Sequence, residues 1–218
     1  MVAMSPVYSV RIRGELACFT RPEFKTERVS YEVITPSAAR GIIEAVLWKP
    51  AIRWHIRRIL VLAPPRFIQF KRHEVTKRAS TYVIEKAARK GVPVDYFADE
   101  DRSQRNTLAL RDVDYAIEAQ FAMTGRTGPE DNPKKFDEIF RRRLQRGQFF
   151  MEPCLGCREF PAIVEPYNGN PSPIDSGSRD LGFMLRDIRF GPSGNQPVFF
   201  RATIQNGVIE VPHWQGNA

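Results

Sequence analysis

Asp112-Val-Asp-Tyr-Ala-Ile-Glu-Ala-Gln-Phe121 alternates without a break: Val113, Tyr115, Ile117, Ala119 and Phe121 fall on one side, Asp112, Asp114, Ala116, Glu118 and Gln120 on the other. Period two marks a strand with one buried face. Val7 to Leu16 repeats the pattern, with Tyr8, Val10 and Ile12 opposite Ser9, Arg11 and Arg13, so two strands with one buried face are expected early and late in the body, the earlier one with a basic outer face. Between them, Thr20 to Thr35 reads as a polar loop, and Pro36-Ser37 opens a helix that Lys49-Pro50 stops after Trp48, since proline suits the first turn and breaks the interior. Ala38, Ile42, Ala45 and Val46 form its apolar stripe. Trp54 to Leu62 is a further strand, interrupted by Arg57-Arg58; Pro64-Pro65 breaks the chain before a short strand at Phe67 to Phe70.

From Lys71 to Arg105 the pattern is polar, basic and weakly periodic, with one helix at Tyr82 to Lys90, which predicts a mobile insertion projecting from the body. Beyond the opening strand, Gly125 to Pro133 is a loop in which Asp131 or Asn132 caps a helix over Pro133 to Arg146, stopped by Gly147. Phe136, Ile139, Phe140 and Leu144 make its packing stripe, while Lys135, Arg141, Arg142, Arg143 and Arg146 fall mostly outside it. The element order predicts an α+β fold, a split βαβ ferredoxin-like sheet with helices on one face over residues 1–150. The insertion spans about residues 71–105, and the Gly/Pro-rich remainder, residues 151–218, reads as a small β appendage with strands at Phe183 to Phe190, Val198 to Ile204 and Val208 to Val211.

Thirty-three Lys/Arg against 25 Asp/Glu give a formal charge of +8 and a pI near 9.7, which favours polyanionic partners through counterion release. Residues 53 to 90 hold eleven Lys/Arg and two acids, so the local excess of nine is larger than that of the whole chain. A uniformly solvated surface would spread that charge; a nucleic-acid face concentrates it. No apolar run approaches the roughly 20 residues that span a bilayer, and Met1 to Arg13 lacks a signal-like apolar segment, so a cytoplasmic location is expected, with no membrane partner. Cys18, Cys154 and Cys157 make no disulfide framework, and Cys154-Leu-Gly-Cys157 has no second Cys or His pair at ligand spacing, so reduced structural thiols are expected ahead of a metal or redox site.

No Walker A loop, Rossmann fingerprint, nucleophile elbow or HExxH motif is present, and Thr124-Gly-Arg-Thr-Gly128 is too short to count as a phosphate cradle. The chemistry that suits a basic RNA-binding surface without a cofactor is attack of the substrate's own 2′-OH on the adjacent phosphate. It needs a base, an acid and a cation, which Tyr, His and Lys supply. Of the three histidines His55, His73 and His213, the sequence favours His73, beside Lys71 and Arg72.

Ala17-Cys-Phe-Thr-Arg-Pro-Glu-Phe-Lys25, Glu27-Arg-Val-Ser-Tyr31, Pro36-Ser-Ala-Ala-Arg-Gly-Ile42, Trp48-Lys-Pro50, Leu110-Arg-Asp-Val-Asp-Tyr115 and Cys154-Leu-Gly-Cys-Arg-Glu-Phe-Pro161 resemble the CRISPR-associated proteins of Cas family five, subtype I-C, also called Dvulg. The likeness runs along essentially the whole chain. It implies a ferredoxin-like body and cleavage of precursor CRISPR RNA near the base of each repeat hairpin without metal. It also implies retention of the product's 5′ handle in a surveillance complex with the large and backbone subunits. The family's active site joins a Tyr just before Trp-Lys-Pro to a Lys-His pair opening the later basic helix. Those positions here are Leu47, Lys135 and Phe136. Only the lysine is retained.

Two outcomes follow from that departure. In one the chain still cuts, with Lys135 stabilising the phosphorane and Tyr31 or His73 moving protons. In the other it is a non-cleaving subunit that holds the handle. The candidate RNA contacts are Arg21, Lys25 and Arg28 in the polar loop, Arg40 and Lys49 at the first helix, Lys71, Arg72, Lys77, Arg78 and Arg105 in the insertion, and Lys134, Arg141 and Arg142 on the last helix. Since a basic groove reads phosphates whatever the sugar, DNA is a candidate second ligand.

Overall fold

The strand that carries the alternating stretch is far longer than the alternation itself. In the computed structural model, which describes residues 4–24, 26–76, 80–94, 97, 101–175, 177–191 and 194–213, the elements are β1 (Tyr8–Ala17), β2 (Arg28–Val29), α1 (Pro36–Val46), β3 (Ile52–Val61), β4 (Arg66–Val75), α2 (Thr81–Lys90), β5 (Arg102–Met123), α3 (Pro133–Arg146), β6 (Ile163–Pro166), β7 (Ser178–Arg189), β8 (Gln196–Gln205) and β9 (Val208–Glu210). The C-terminal half of β5 lies between two antiparallel neighbours, β1 (Tyr8 opposite Ala119) and β3 (Ile52 opposite Met123). Its N-terminal half pairs with β4, from Arg66 opposite Arg111 to Val75 opposite Arg102. At the junction Asp112 takes a positive φ of 52°, a left-handed conformation that aspartate tolerates better than most residues.

The sheet runs β6-β1-β5-β3-β9-β8-β7. β6 extends it beyond β1, and β9 hydrogen-bonds to β3 through Ile59 opposite Ile209, so the strands after residue 150 continue the same ladder. α1 and α3 touch each other, and Arg143 of α3 donates to the Val46 carbonyl at 2.9 Å. Beneath them lies an aromatic cluster of Tyr8, Trp54, Phe121, Phe136 and Phe140, with the Trp54 and Phe140 rings 4.6 Å apart. Rings of this size dominate a core's apolar burial.

Both body helices begin where the sequence places them. Thr35 caps α1 by accepting from the Ala38 N–H, and Asn132 caps α3 by accepting from the Lys135 N–H at 2.9 Å, each ahead of a proline in the first turn. α3 ends at Gly147, whose φ is 60°, as a left-handed stop requires. α1 stops at Val46, two residues earlier than expected, because Leu47 turns extended and buries its side chain while its carbonyl accepts from the Trp54 indole at 2.8 Å.

The stretch expected to be irregular, Lys71 to Arg105, is instead a two-stranded ribbon closed by a helix, since β4 runs on to Val75 and β5 starts at Arg102. Its strands are exposed or half-buried along most of their length. A ribbon with no sealed core face needs no apolar alternation, so the period-two signal is missing although the hydrogen bonds are made. Gly156 explains another loop. Its φ is +86°, and a Cβ there would strike the Cys18 carbonyl, so Cys154-Leu-Gly-Cys157 lies flat against the end of β1. No helix among the described residues is long and apolar enough to cross a membrane.

Candidate nucleic-acid interface

The end of α1, the start of β3, the loop after β5 and the end of β7 enclose a groove of about 870 Å³. Five cations line it, Arg40, Lys49, Arg53, Arg126 and Arg189, against the carboxylates Glu44 and Asp187. Trp48 and Phe190 stand at its walls 48% and 72% exposed, too open to be core packing. Cations that track a phosphate chain beside open aromatic faces are the physical recipe for binding single-stranded nucleic acid. The Trp48 ring lies 6.4 Å from that of Phe150, itself exposed.

Lys135 sits next to this groove. Its ammonium lies 3.3 Å from Asp131. A hydrogen bond from the Gly128 N–H, then Lys135 and Lys49, hold the Asp131 carboxyl below its ordinary range. Asp131 therefore links the lysine of α3 to the lysine of the Trp-Lys-Pro turn. The two positions that flank this link in the resemblance, Leu47 and Phe136, are sealed in one core; Phe136 meets Phe121 edge-on at 6.4 Å. Apolar groups at these positions serve packing and carry no transferable proton.

The other two proton-transfer candidates lie elsewhere, and no contact joins them to Lys135 among the described residues. Tyr31 is 2% exposed beneath the Arg21 guanidinium, which lies 4.6 Å above its ring, and burial pushes its phenol up. His73 is exposed on β4, opposite Gln104.

The candidate RNA cations divide by their partners. Arg28 donates to the Cys157 thiol at 3.1 Å and pairs with Glu74 at 3.0 Å and Glu159 at 3.9 Å. The Cys18 thiol and this guanidinium together pull the Cys157 thiol below its ordinary range. Arg72 pairs with Glu159 between the Phe70 and Phe160 rings, and Arg105 pairs with Glu74 and donates to the Thr26 carbonyl. Arg21 reaches Glu23; Arg40 is held by Glu44 and Asp187, each at 2.7 Å. Arg141 pairs with Asp137 at 2.7 Å, and that carboxylate also accepts from Tyr8. Lys49, Lys71, Lys134 and Arg142 are exposed. Lys25, Lys77 and Arg78 lie outside the described residues.

Sequence reading overlooked Arg126, Arg189 and Phe190, and used Arg53 only in a charge count. Arg126 sits in the Thr124–Gly128 stretch, too short to read as a phosphate cradle, and Thr124 donates to the Ala51 and Pro50 carbonyls, which brings Arg126 beside Lys49. The overlooked signal was an exposed aromatic next to a basic residue, in Trp48-Lys49 and again in Arg189-Phe190.

Comparison with known proteins assigns the family. Residues 7–212 match the Cas5d model described as CRISPR-associated protein (Cas_Cas5). The chain is 48% identical over 211 residues to the CRISPR pre-crRNA endoribonuclease Cas5d of Mannheimia succiniciproducens, covering 93% of each chain. It is 39% identical over 221 residues to the protein of the same name from Thermus thermophilus, covering 93% of this chain and 90% of that one. A solved CRISPR-associated protein superposes with a TM-score of 0.74 at 21% identity, covering 98% of this chain and 95% of the other. A functionally uncharacterized protein from Streptococcus mutans superposes with a TM-score of 0.71 at 21% identity and the same coverage. A chain of a CRISPR RNA-guided surveillance complex gives 0.54 at 14% identity, covering 95% and 91%. With its α+β sheet and its groove, the chain belongs to the Cas5d family of CRISPR-associated proteins.

Proposed function

We propose that this chain is the endoribonuclease that cuts precursor CRISPR RNA within the repeat, without metal, by attack of the RNA's own 2′-OH, and then keeps the 5′ handle within a type I-C surveillance complex. The observation that carries the reading is the identity of 48% to a pre-crRNA endoribonuclease across 93% of both chains. The cationic groove with its exposed aromatics supports it, because a cut handle is single-stranded and such strands bind by stacking and phosphate contact. Large and backbone subunits of the complex are the protein partners in this reading, DNA is a second ligand for the same groove, and the setting is the cytoplasm.

The body in this reading is ferredoxin-like over residues 1–150, with residues 151–218 as a small β-rich region. The order β6-β1-β5-β3 supports it, since β1 and β3 run parallel on either side of antiparallel β5, as in a split βαβ unit.

The test is incubation of the purified protein with its cognate repeat RNA in EDTA. A single cut that vanishes when the scissile nucleotide is 2′-deoxy is the expected result; tight binding with no cut overturns the nuclease reading. A second reading, a subunit that holds the handle without cutting, draws on one observation: Leu47 and Phe136 are sealed in the core. Lys135 offers a cation to the phosphate chain in both readings. For Lys135→Ala, a rate loss of orders of magnitude with affinity intact places that cation at the scissile phosphate, and a joint modest loss in affinity and salt slope places it at a neighbouring one.

A further inference from the structure

His55 of β3 and His213, just beyond β9, are far apart in sequence and meet because β9 pairs with β3. Their rings are within 5° of parallel with centroids 6.2 Å apart. They share a crevice with Arg40, Arg53, Arg57 and Arg186, and the carboxylate that faces them is Asp187. Asp187 accepts from Arg40 at 2.7 Å and lies 3.7 Å from Arg53. Glu44 also holds Arg40, so four guanidiniums meet two carboxylates and the crevice keeps a net positive charge, which suits an anion. Two hydrogen bonds of roughly 2.8 Å to different oxygens of one phosphate keep the donor atoms within about 8 Å of each other. The two imidazoles meet that span.

The crevice also adjoins the groove, since Arg40, Arg53 and Asp187 line both. The groove that carries Trp48, Lys49 and Arg189 therefore adjoins the crevice that holds the histidines. The chain thus provides two imidazoles in a cationic pocket beside the groove, while its core seals the positions where the resemblance puts a tyrosine and a histidine.

We propose that the His55–His213 crevice is where the RNA is cut, with His55 as the base for the attacking 2′-OH and His213 as the acid for the leaving 5′ oxygen. The proposal rests on the nuclease reading above. Neutral His55 takes the 2′ proton as the 2′-oxygen–phosphorus bond forms. The phosphorus–5′-oxygen bond then breaks, its electron pair stays on the 5′ oxygen, and protonated His213 supplies the proton to that atom. The products are a 2′,3′-cyclic phosphate and a 5′-hydroxyl, and exchange with water resets both rings. Arg53 and Arg186 flank the phosphate and offset the charge that grows on it.

The surroundings of His55 keep its ring unprotonated, the form in which it can accept a proton. Burial, then Arg53, His213 and Arg186, lower its pKa to about 4 against the opposing pull of Asp187; Arg40 and Arg57 complete the charged lining. The ring is therefore neutral at physiological pH. The negative phosphodiester offsets the arginine field and raises its basicity as it binds.

The experiment compares wild type, His55→Gln and His213→Gln on cognate repeat RNA in EDTA, with affinity and Tm measured alongside the cleavage rate. Each variant is expected to lose about 100-fold or more in rate, with affinity and Tm close to wild type. Sulfur at the bridging 5′ position, a leaving group that needs no proton, is expected to restore His213→Gln and not His55→Gln. The acid limb of the wild-type pH–rate profile is expected to be missing from His55→Gln. Variants that cut at the wild-type rate overturn the proposal and leave the nuclease reading intact, and so do variants whose rate falls only in step with affinity. A wild-type protein that binds and does not cut overturns both.

Discussion

The base of the β4–β5 arm and the groove beside α1 are both rich in arginine, and their electrostatics differ. At the arm base Arg28, Arg72 and Arg105 are tied to Glu74, Glu159, the Cys157 thiol and the Thr26 carbonyl. In the groove Arg40, Lys49, Arg53, Arg126 and Arg189 face Glu44 and Asp187. The first set holds the arm, the polar loop and the Cys154–Pro161 turn together. The second keeps an excess of cations over carboxylates beside open aromatic faces. A charge count along the sequence ranks residues 53 to 90 highest; the fold ties several of those arginines to the arm and brings others into the groove.

Several measurements would break or sharpen that contrast. Reversing two groove charges, Lys49→Glu with Arg126→Glu, should have the largest effect: RNA affinity at low salt falls by about 100-fold or more, and the slope of log affinity against log salt shrinks by about 1.4, or 0.7 for each lost single-strand contact. Filter binding across a salt series reads both, and an unchanged slope would move the interface away from the groove. Trp48→Ala removes one stacking face and should cost about 1–3 kcal/mol of binding at unchanged salt slope; equal affinity for the variant would return Trp48 to a packing role. Arg28→Ala should do the opposite of both. RNA affinity stays within about twofold, while Tm falls by several degrees as Glu74, Glu159 and Cys157 lose a shared donor, for a cost of about 1–2 kcal/mol. A large affinity loss there would erase the distinction between the two regions.

The last effect concerns acid. The folded pKa of His55, about 4, lies below the ordinary value of 6.5, so between those values the unfolded chain binds the extra proton. Stability from the neutral ring is complete above about 6.5 and drains away as pH falls toward 4. Thermal melts should show a shallow acid decline over that window that flattens in His55→Gln, and identical declines would place the titrating group elsewhere.

Much of the architecture is legible in the chain. Residues 132–147 carry a cap, a proline, an apolar stripe and a glycine stop, and α3 forms over Pro133–Arg146 without adjustment. β1 and the second half of β5 alternate because one of their faces is sealed. The β4 ribbon lacks that face, so its local pattern carries no strand signal. Extended β6 is four residues long and hides in a proline-rich tail. The site was harder to read. Lys135 stands out in sequence, whereas the groove joins four segments, and His55 meets His213 only through a strand pairing that periodicity does not specify. A lone basic histidine, His73, draws attention in a sequence, while a facing pair is a property of the fold.

β5 has a mechanical consequence. Its 22 residues begin in the arm and end between β1 and β3, so arm and body share one backbone. A flap hung on two loops swings without disturbing what it hangs from. An arm that is the extension of a central strand acts as a lever with one end clamped in the core. Load taken up on the arm strand travels through Asp112 to the ladder shared with β3, the strand that also carries Arg53 and His55. Tension on the arm thus has a route through one backbone and one hydrogen-bonded ladder to the wall of the groove.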